Sequence, residues 1–148
     1  MSSEHRNTWV GLISSLLVNS YFLWRIWGMF HDGTSTAPDG LQIWAQTVLW
    51  VVPVSIGLTI VLTILANITV SIFAGGTKPV FLTDERDRQF EYLGLGATLL
   101  FMIAGFLLAM VLLAAGYGGF TAFNVIYLAM ALGDLAGNLL KLILYQVR

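Results

Sequence analysis

The sequence predicts an all-α integral membrane protein, a bundle of four transmembrane helices with both termini in the cytoplasm. Of its 148 residues, 57% are hydrophobic and only 10% are charged, whereas soluble domains carry about a quarter charged residues. Four apolar stretches each approach or exceed the roughly 20 residues that cross the hydrocarbon core of a bilayer. Lysine and arginine are distributed unequally among the connecting segments, and this asymmetry predicts the orientation.

The whole chain, residues 1–148, is expected to form a single membrane domain. Its predicted helices cover residues 9–30, 41–73, 88–113 and 121–146. No small-residue cleavage site follows the first apolar stretch, so we interpret it as a retained helix and not as a signal peptide. The second stretch is the longest, and Pro53 is its expected bending point because proline lacks a backbone N–H. Because the loops are short, the helices should run antiparallel in sequence order.

The charges of the connecting segments predict which side faces the cytoplasm. Residues 31–40 contain two aspartates but no lysine or arginine, and residues 114–120 carry no charge. The basic residues of the opposite side are Arg6, Lys78, Arg86, Arg88 and Arg148. The positive-inside rule therefore places both termini and the segment between helices 2 and 3 in the cytoplasm. Arg25 is the exception, and it lies close enough to the outer end of helix 1 for its side chain to extend outward.

Helix 4 carries three polar residues within an apolar sequence. Asp134, Asn138 and Lys141 are spaced i, i+4, i+7 and therefore share one helical face. Asp134 falls near the bilayer midplane, where an acid costs about 2.5–3.5 kcal/mol on insertion scales. We therefore expect Asp134 to face protein and not lipid. Lys141 is near enough to the inner headgroups for its ammonium group to reach them.

Two asparagines on other helices are candidate partners for this face. Asn19 on helix 1 is expected at the level of Asp134, and Asn67 on helix 2 is expected closer to Asn138 and Lys141. Three interpretations of this intramembrane polar cluster remain open. It can fix helix packing through hydrogen bonds of about 0.6 kcal/mol each, relay protons or a monovalent cation through Asp134, or contact a partner within the membrane.

Small residues mark two surfaces for close helix packing. They are Ala129, Gly133 and Gly137 on helix 4, and Gly105 and Ala109 on helix 3. Such rows let another helix approach closely. We expect one surface to act within the bundle and the other between copies, which predicts a homo-oligomer.

The start of helix 3 is acidic, with Asp84, Glu85, Asp87 and Glu91 after a plausible N-cap at Thr83. Asp84, Asp87 and Glu91 share one face and could hold Mg²⁺ or Ca²⁺ through oxygen ligands. The interleaved Arg86 and Arg88 instead favour a solvated, salt-bridged helix start. A surface for a cytoplasmic protein partner is the third interpretation.

Several function classes are excluded by composition and spacing. The chain has no cysteine, which excludes disulfides, thiolate metal sites and cysteine nucleophiles. His5 and His31 lie on opposite sides of the predicted membrane, so a bis-histidine haem within one subunit is excluded. A net charge of −1 provides no field for binding nucleic acid. We find no nucleotide-binding loop, no catalytic triad and no zinc-ligand spacing, and we expect no cofactor and no enzyme activity.

The second half of the chain, roughly residues 80–148, resembles a widespread group of small prokaryotic membrane proteins classified only as a domain of unknown function. The resemblance is carried by "DERDRQFEYLG" and by the final helix, "LGDLAGNLLKLILYQVR". The matching positions are Asp84, Glu85, Arg86, Asp87, Asp134, Tyr145 and Arg148. The resemblance implies a four-helix topology with both ends inside and a multi-pass location in the prokaryotic cytoplasmic membrane. It supplies no activity.

These observations favour a non-catalytic membrane module that oligomerises or binds a membrane or cytoplasmic protein partner. The alternative is a transport element that relays protons or a monovalent cation through Asp134. A metal-dependent membrane enzyme that uses Asp84, Asp87 and Glu91 is a third hypothesis, for which a second acidic motif is missing from the sequence.

Overall fold

The computed structural model describes residues 3–73 and 85–147, with side chains described for 5–72 and 85–147. Four residues used in the sequence predictions, Lys78, Thr83, Asp84 and Arg148, lie outside these ranges.

The described chain is all-helical, as the sequence predicted. Its four α-helices are α1 (Ser3–His31), α2 (Gly40–Phe73), α3 (Glu85–Ala114) and α4 (Gly119–Val147). A short 3₁₀ turn, Thr34–Thr36, lies in the connection between α1 and α2. The first helix begins well before the predicted residue 9 because its polar start is not a free end: the His5 ring stacks on the Tyr145 ring of α4, with 4.9 Å between centroids.

Among the described helices, α2, α3 and α4 are long and apolar enough to cross a membrane. With 29 residues, α1 has a sufficient length but is less apolar. Its sequence includes Ser14, Ser15, Asn19 and Arg25, and these lower its hydropathy. The composition of the helices thus supports a membrane protein with three candidate spans and a fourth, more polar long helix.

The four helices run antiparallel in the order α2–α1–α4–α3. α1 packs between α2 and α4, and α3 packs chiefly against α4. We call the end that carries residues 32–39 and 115–118 the loop end, and the end that carries both chain termini the terminal end. Toward the loop end, large side chains from three helices form a hydrophobic cluster. Its buried members are Val18, Phe22, Ile26, Met29, Trp44, Val51 and Phe120.

At the loop end, α2 also meets α4 directly. Trp44 Nε1 donates a hydrogen bond to Asn124 Oδ1 at 3.0 Å, and Leu41 lies against Gly119. Toward the terminal end, α2 instead exposes successive isoleucines such as Ile60, Ile64 and Ile68. The α2 helix continues through Pro53 as one element of 34 residues.

The small residues of α3 and α4 pack against each other. A Cβ on Gly105 would collide with Ala129, and one on Gly137 would lie 2.6 Å from the carbonyl oxygen of Gly94. Thr98 strengthens this contact by donating to the carbonyl oxygen of Gly133 at 3.0 Å. Both rows are therefore used inside one chain. We had expected one of them to serve a second copy, but in the described part of the chain the two rows contact each other. The homo-oligomer stays a prediction.

Candidate functional site

A polar groove runs along α1 between α2 and α4, toward the terminal end. Its volume is about 560 Å³. The polar side chains that line it come from all four helices: Asn7, Thr8, Ser14, Ser15 and Asn19 from α1, Ser55 and Thr59 from α2, Glu91 from α3, and Tyr127, Asp134, Asn138 and Lys141 from α4. We call this feature the polar groove.

The floor of the polar groove is one face of α1. Asn7, Gly11, Ser14 and Val18 follow the i, i+3, i+4 spacing that places residues on a single helical stripe. Beyond Asn19 this stripe becomes apolar and enters the hydrophobic cluster. Because the residues on this face change from polar to apolar, the groove is polar toward the terminal end and ends before the loop end.

Asp134 lies on the α4 wall of the polar groove, and its residue is exposed. Its Oδ1 accepts one hydrogen bond, from Asn138 Nδ2 at 3.2 Å. The sequence predicted that this carboxylate faces protein and not lipid. In the structure it lies on the wall of a groove that residues of all four helices line, and it is not enclosed by packed side chains. Gly133 and Gly137 are the residues packed against α3, and one step along a helix rotates the side chain by about 100°. Asp134 is thereby turned away from α3 and toward the groove.

Asn138 is buried between α4 and α1. A Cβ on Gly11 would lie 3.5 Å from Asn138 Oδ1, so the absence of a side chain at Gly11 lets the amide approach the floor. Asn138 Nδ2 also donates to the backbone oxygen of Asp134 at 3.0 Å. The amide is held in place by its own helix, and its Oδ1 faces α1.

Lys141 pairs with Glu91 of α3 at the terminal end of the groove, with 3.5 Å between Nζ and Oε2. Gly94 makes room for the lysine, since a Cβ there would lie 2.9 Å from Lys141 Cγ. An exposed pair of this kind contributes little to stability. Glu91 nevertheless compensates the positive charge of Lys141. Among the described residues, Asp134 is therefore the one carboxylate of the groove that has no cationic partner.

The inner limit of the polar groove is a hydrogen bond between α4 and α1. Tyr127 OH donates to Asn19 Oδ1 at 3.1 Å, and Asn19 Nδ2 donates to Ser15 Oγ at 3.0 Å. The Tyr127 and Phe22 rings lie 3.7 Å apart between centroids, where the hydrophobic cluster begins. Asn19 was expected at the level of Asp134. The antiparallel register puts it two turns nearer the loop end, at the level of Tyr127.

The α2 wall has polar groups that the sequence analysis missed. Ser14 Oγ lies 2.8 Å from Thr59 Oγ1. Thr59 donates its own proton to the carbonyl oxygen of Ser55 at 2.9 Å, so Ser14 is the donor between the helices. The i, i+4 spacing of Ser55, Thr59 and Thr63 was a weak signal, because hydroxyls in apolar helices commonly bond back to their own backbone.

Asn67 does not line the polar groove. Its Oδ1 is buried without a hydrogen-bond partner, and the predicted proximity to Asn138 and Lys141 is not found. The reason lies in the course of α2, which meets α4 at the loop end through the Trp44–Asn124 hydrogen bond and makes little contact with α4 elsewhere. The polar cluster is therefore formed by Asn19, Asp134, Asn138 and Lys141, with Ser14 and Thr59 in place of Asn67.

The described part of the acidic helix start faces α4. Asp87 is only 5% exposed and accepts a hydrogen bond from Tyr145 OH at 2.9 Å. The Tyr145 ring also packs edge-on against Phe90, with 5.0 Å between centroids. Glu85, in contrast, is exposed. Within residues 85–147 and 3–73 no group of three or more histidine, aspartate or glutamate residues is close enough to hold a metal ion.

Comparison of the chain with protein-family models, curated proteins and solved structures gives no match. The resemblance of residues 80–148 to a group of small membrane proteins thus stays a prediction.

Proposed function

We propose that the protein is a non-catalytic, multi-pass membrane module that binds a transmembrane segment of a partner in the polar groove. In this proposal all four helices span the cytoplasmic membrane of a prokaryote, and both termini lie inside. The observation that carries the proposal is the position of Asp134, which is exposed on the wall of a polar groove between α2 and α4.

A polar groove within a bilayer requires an occupant. Polar groups that face hydrocarbon without hydrogen bonds are energetically unfavourable, and α2 and α4 separate toward the terminal end and leave the groove open between them. A transmembrane segment that enters from the bilayer can cover these groups. From Asn7 to Asn19 the floor spans about 18 Å, which corresponds to three turns of a docked helix.

The chemistry of the groove specifies which side chain it accepts. Lys141 and Glu91 offset one another, so the carboxylate of Asp134 gives the groove a net negative charge. Thr59 and Asn19 already use donors within the protein. The best complement is a helix with a lysine, arginine or strong hydrogen-bond donor near its centre.

The test uses a model transmembrane peptide of about 20 leucine and alanine residues with one central lysine, and a second peptide with leucine at that position. A fluorescent label is attached to the protein through Thr36→Cys, and a second label is attached to the peptide. Energy transfer between the two labels in phosphatidylcholine vesicles then measures binding. We expect the lysine peptide to bind about 5- to 30-fold more tightly, since polar contacts between membrane helices are worth about 1–2 kcal/mol.

Asp134→Asn should remove this preference, while Glu85→Gln, which changes an exposed acid outside the groove, should preserve it. Equal binding of the two peptides, or a preference that survives in Asp134→Asn, would refute the proposed function. Energy transfer between two labelled copies in the absence of peptide, if it is lost in Asp134→Asn, would instead identify a second copy as the occupant, in agreement with the predicted homo-oligomer.

A proton or monovalent-cation relay through Asp134 is the second candidate. It is favoured by the continuous polar lining from Asn7 to Asn19. The hydrophobic cluster that contains Phe22, Trp44 and Phe120 separates this lining from the loop end, so transport requires an opening there. Flux into liposomes that is present in wild type and lost in a folded Asp134→Asn variant would support the relay. Absence of flux in both proteins would exclude it.

A further inference from the structure

A second cavity lies between α1 and α2 toward the loop end and is separate from the polar groove. Its volume is about 690 Å³. Its polar and aromatic lining residues are Tyr21 and Arg25 of α1 and Gln46, Thr47 and Trp50 of α2. We call this cavity the arginine cavity.

Arg25 has no compensating charge. It is exposed and forms no ion pair or hydrogen bond with any residue in the described part of the chain. Asp32 borders an adjacent cavity with Arg25, yet the two side chains are not within ion-pair distance. A guanidinium group presents five N–H donors, and at a membrane surface these donors need an anion or water.

Two neighbours add to the hydrogen-bonding capacity of the arginine cavity. The Tyr21 hydroxyl and the Gln46 amide form no side-chain hydrogen bond among the described residues, whereas the Thr47 hydroxyl is engaged with the carbonyl oxygen of Ile43 at 2.9 Å. A positive charge together with N–H and O–H donors matches a phosphate group, two oxygens of which arginine can bind in a planar, bidentate geometry.

The depth of the cavity matches the headgroup region of a bilayer. Arg25 precedes the end of α1 at His31 by six residues, and Gln46 follows the start of α2 at Gly40 by six. Both therefore lie about 9 Å from the loop end. Trp24, Trp27 and Trp50 around them are 68%, 66% and 73% exposed, as expected of indole rings at a membrane interface.

We infer that the arginine cavity binds the phosphodiester headgroup of an anionic phospholipid in the leaflet at the loop end. Arg25 pairs with the phosphate, Tyr21 and Gln46 donate to the headgroup, and Trp50 packs against the acyl chains. The lipid holds α1 against α2 near the loop end. This inference does not depend on the proposed function of the polar groove.

The experiment is native mass spectrometry of the full chain, released from mixed vesicles of phosphatidylglycerol and phosphatidylcholine. We expect wild type to retain phosphatidylglycerol in preference to phosphatidylcholine. Arg25→Gln should reduce that retention about tenfold, as expected from the loss of a charge-assisted hydrogen bond. Arg25→Lys should restore part of it, because the charge remains and the bidentate geometry is lost.

Arg88→Gln is the matched control, since it removes the same charge from an exposed position at the terminal end. Equal loss of phosphatidylglycerol in Arg25→Gln and Arg88→Gln would show attraction by net charge alone and overturn the inference. Displacement of the lipid by millimolar inorganic phosphate would also overturn it, because the site would then recognise a free anion. Gln46→Leu should weaken retention less than Arg25→Gln, and folding of every variant is checked by circular dichroism.

Discussion

At the residue scale, the main question is how an apolar helix accommodates Asp134. The structure gives the carboxylate one hydrogen bond, to Asn138, and a position on an exposed groove wall. Its neighbours Gly133 and Gly137 make the close contact with α3. The acid is thus not needed for the packing of α4, and its role is confined to the groove.

This leads to a prediction about stability. Asp134→Leu should insert into membranes and unfold within a few degrees of wild type, because it removes one partly buried hydrogen bond of about 0.6 kcal/mol and makes insertion of the helix more favourable. Asn138→Leu should be more destabilising, since Asn138 is buried beside Gly11. Thermal unfolding in detergent measures both. A larger loss in Asp134→Leu than in Asn138→Leu would contradict this view of the carboxylate.

At the element scale, the pair α3–α4 is held by small residues and α1–α4 by aromatic and polar ones. Thr98 donates to the carbonyl oxygen of Gly133 across the first pair, whereas Tyr127 and Asn19 join the second. In hydrocarbon the hydrophobic effect does not drive helices together, so close van der Waals contact and hydrogen bonds decide which faces meet. The α3–α4 contact is therefore sensitive to added volume.

Gly137→Ala should lower the stability of the protein by about 1–3 kcal/mol, the range found for overpacked cores. The new Cβ would lie 2.6 Å from the backbone oxygen of Gly94, which cannot move without displacing α3. Gly96→Ala is the control in α3, because a Cβ at Gly96 meets open space. Unfolding of the two variants is compared in the same detergent. Equal stability of both would mean that the helices are not in this contact.

At the scale of the whole molecule, the order α2–α1–α4–α3 leaves the two outer helices without an extended contact between them. A closed bundle would have buried Asp134 between four helices. The row-like order instead leaves one side of α1 as the floor of the polar groove. The polar groove is thus a consequence of how the helices are ordered and not of any single motif.

The proposed four-span arrangement predicts a specific pattern of labelling. Because the chain has no cysteine, single cysteines can be introduced at Ser3, Thr36 and Gln146. In intact bacterial cells a membrane-impermeant maleimide should label Thr36→Cys, whereas Ser3→Cys and Gln146→Cys should react only after permeabilisation. This follows from antiparallel helices and the positive-inside rule. Labelling of Ser3→Cys and Thr36→Cys from the same side would show that α1 does not cross the membrane.

The sequence by itself determined the class of the protein, because hydropathy and the spacing of small residues are local properties of each helix. It placed Gly133 and Gly137 beside a polar face, but it could not show which helix would pack against each row of small residues. Tertiary structure decided that α3 takes the glycine face of α4, that Asp134 turns toward the groove, and that Thr59 contributes where Asn67 was expected. Register and helix order depend on all the helices at once, and periodicity within one helix carries no information about either.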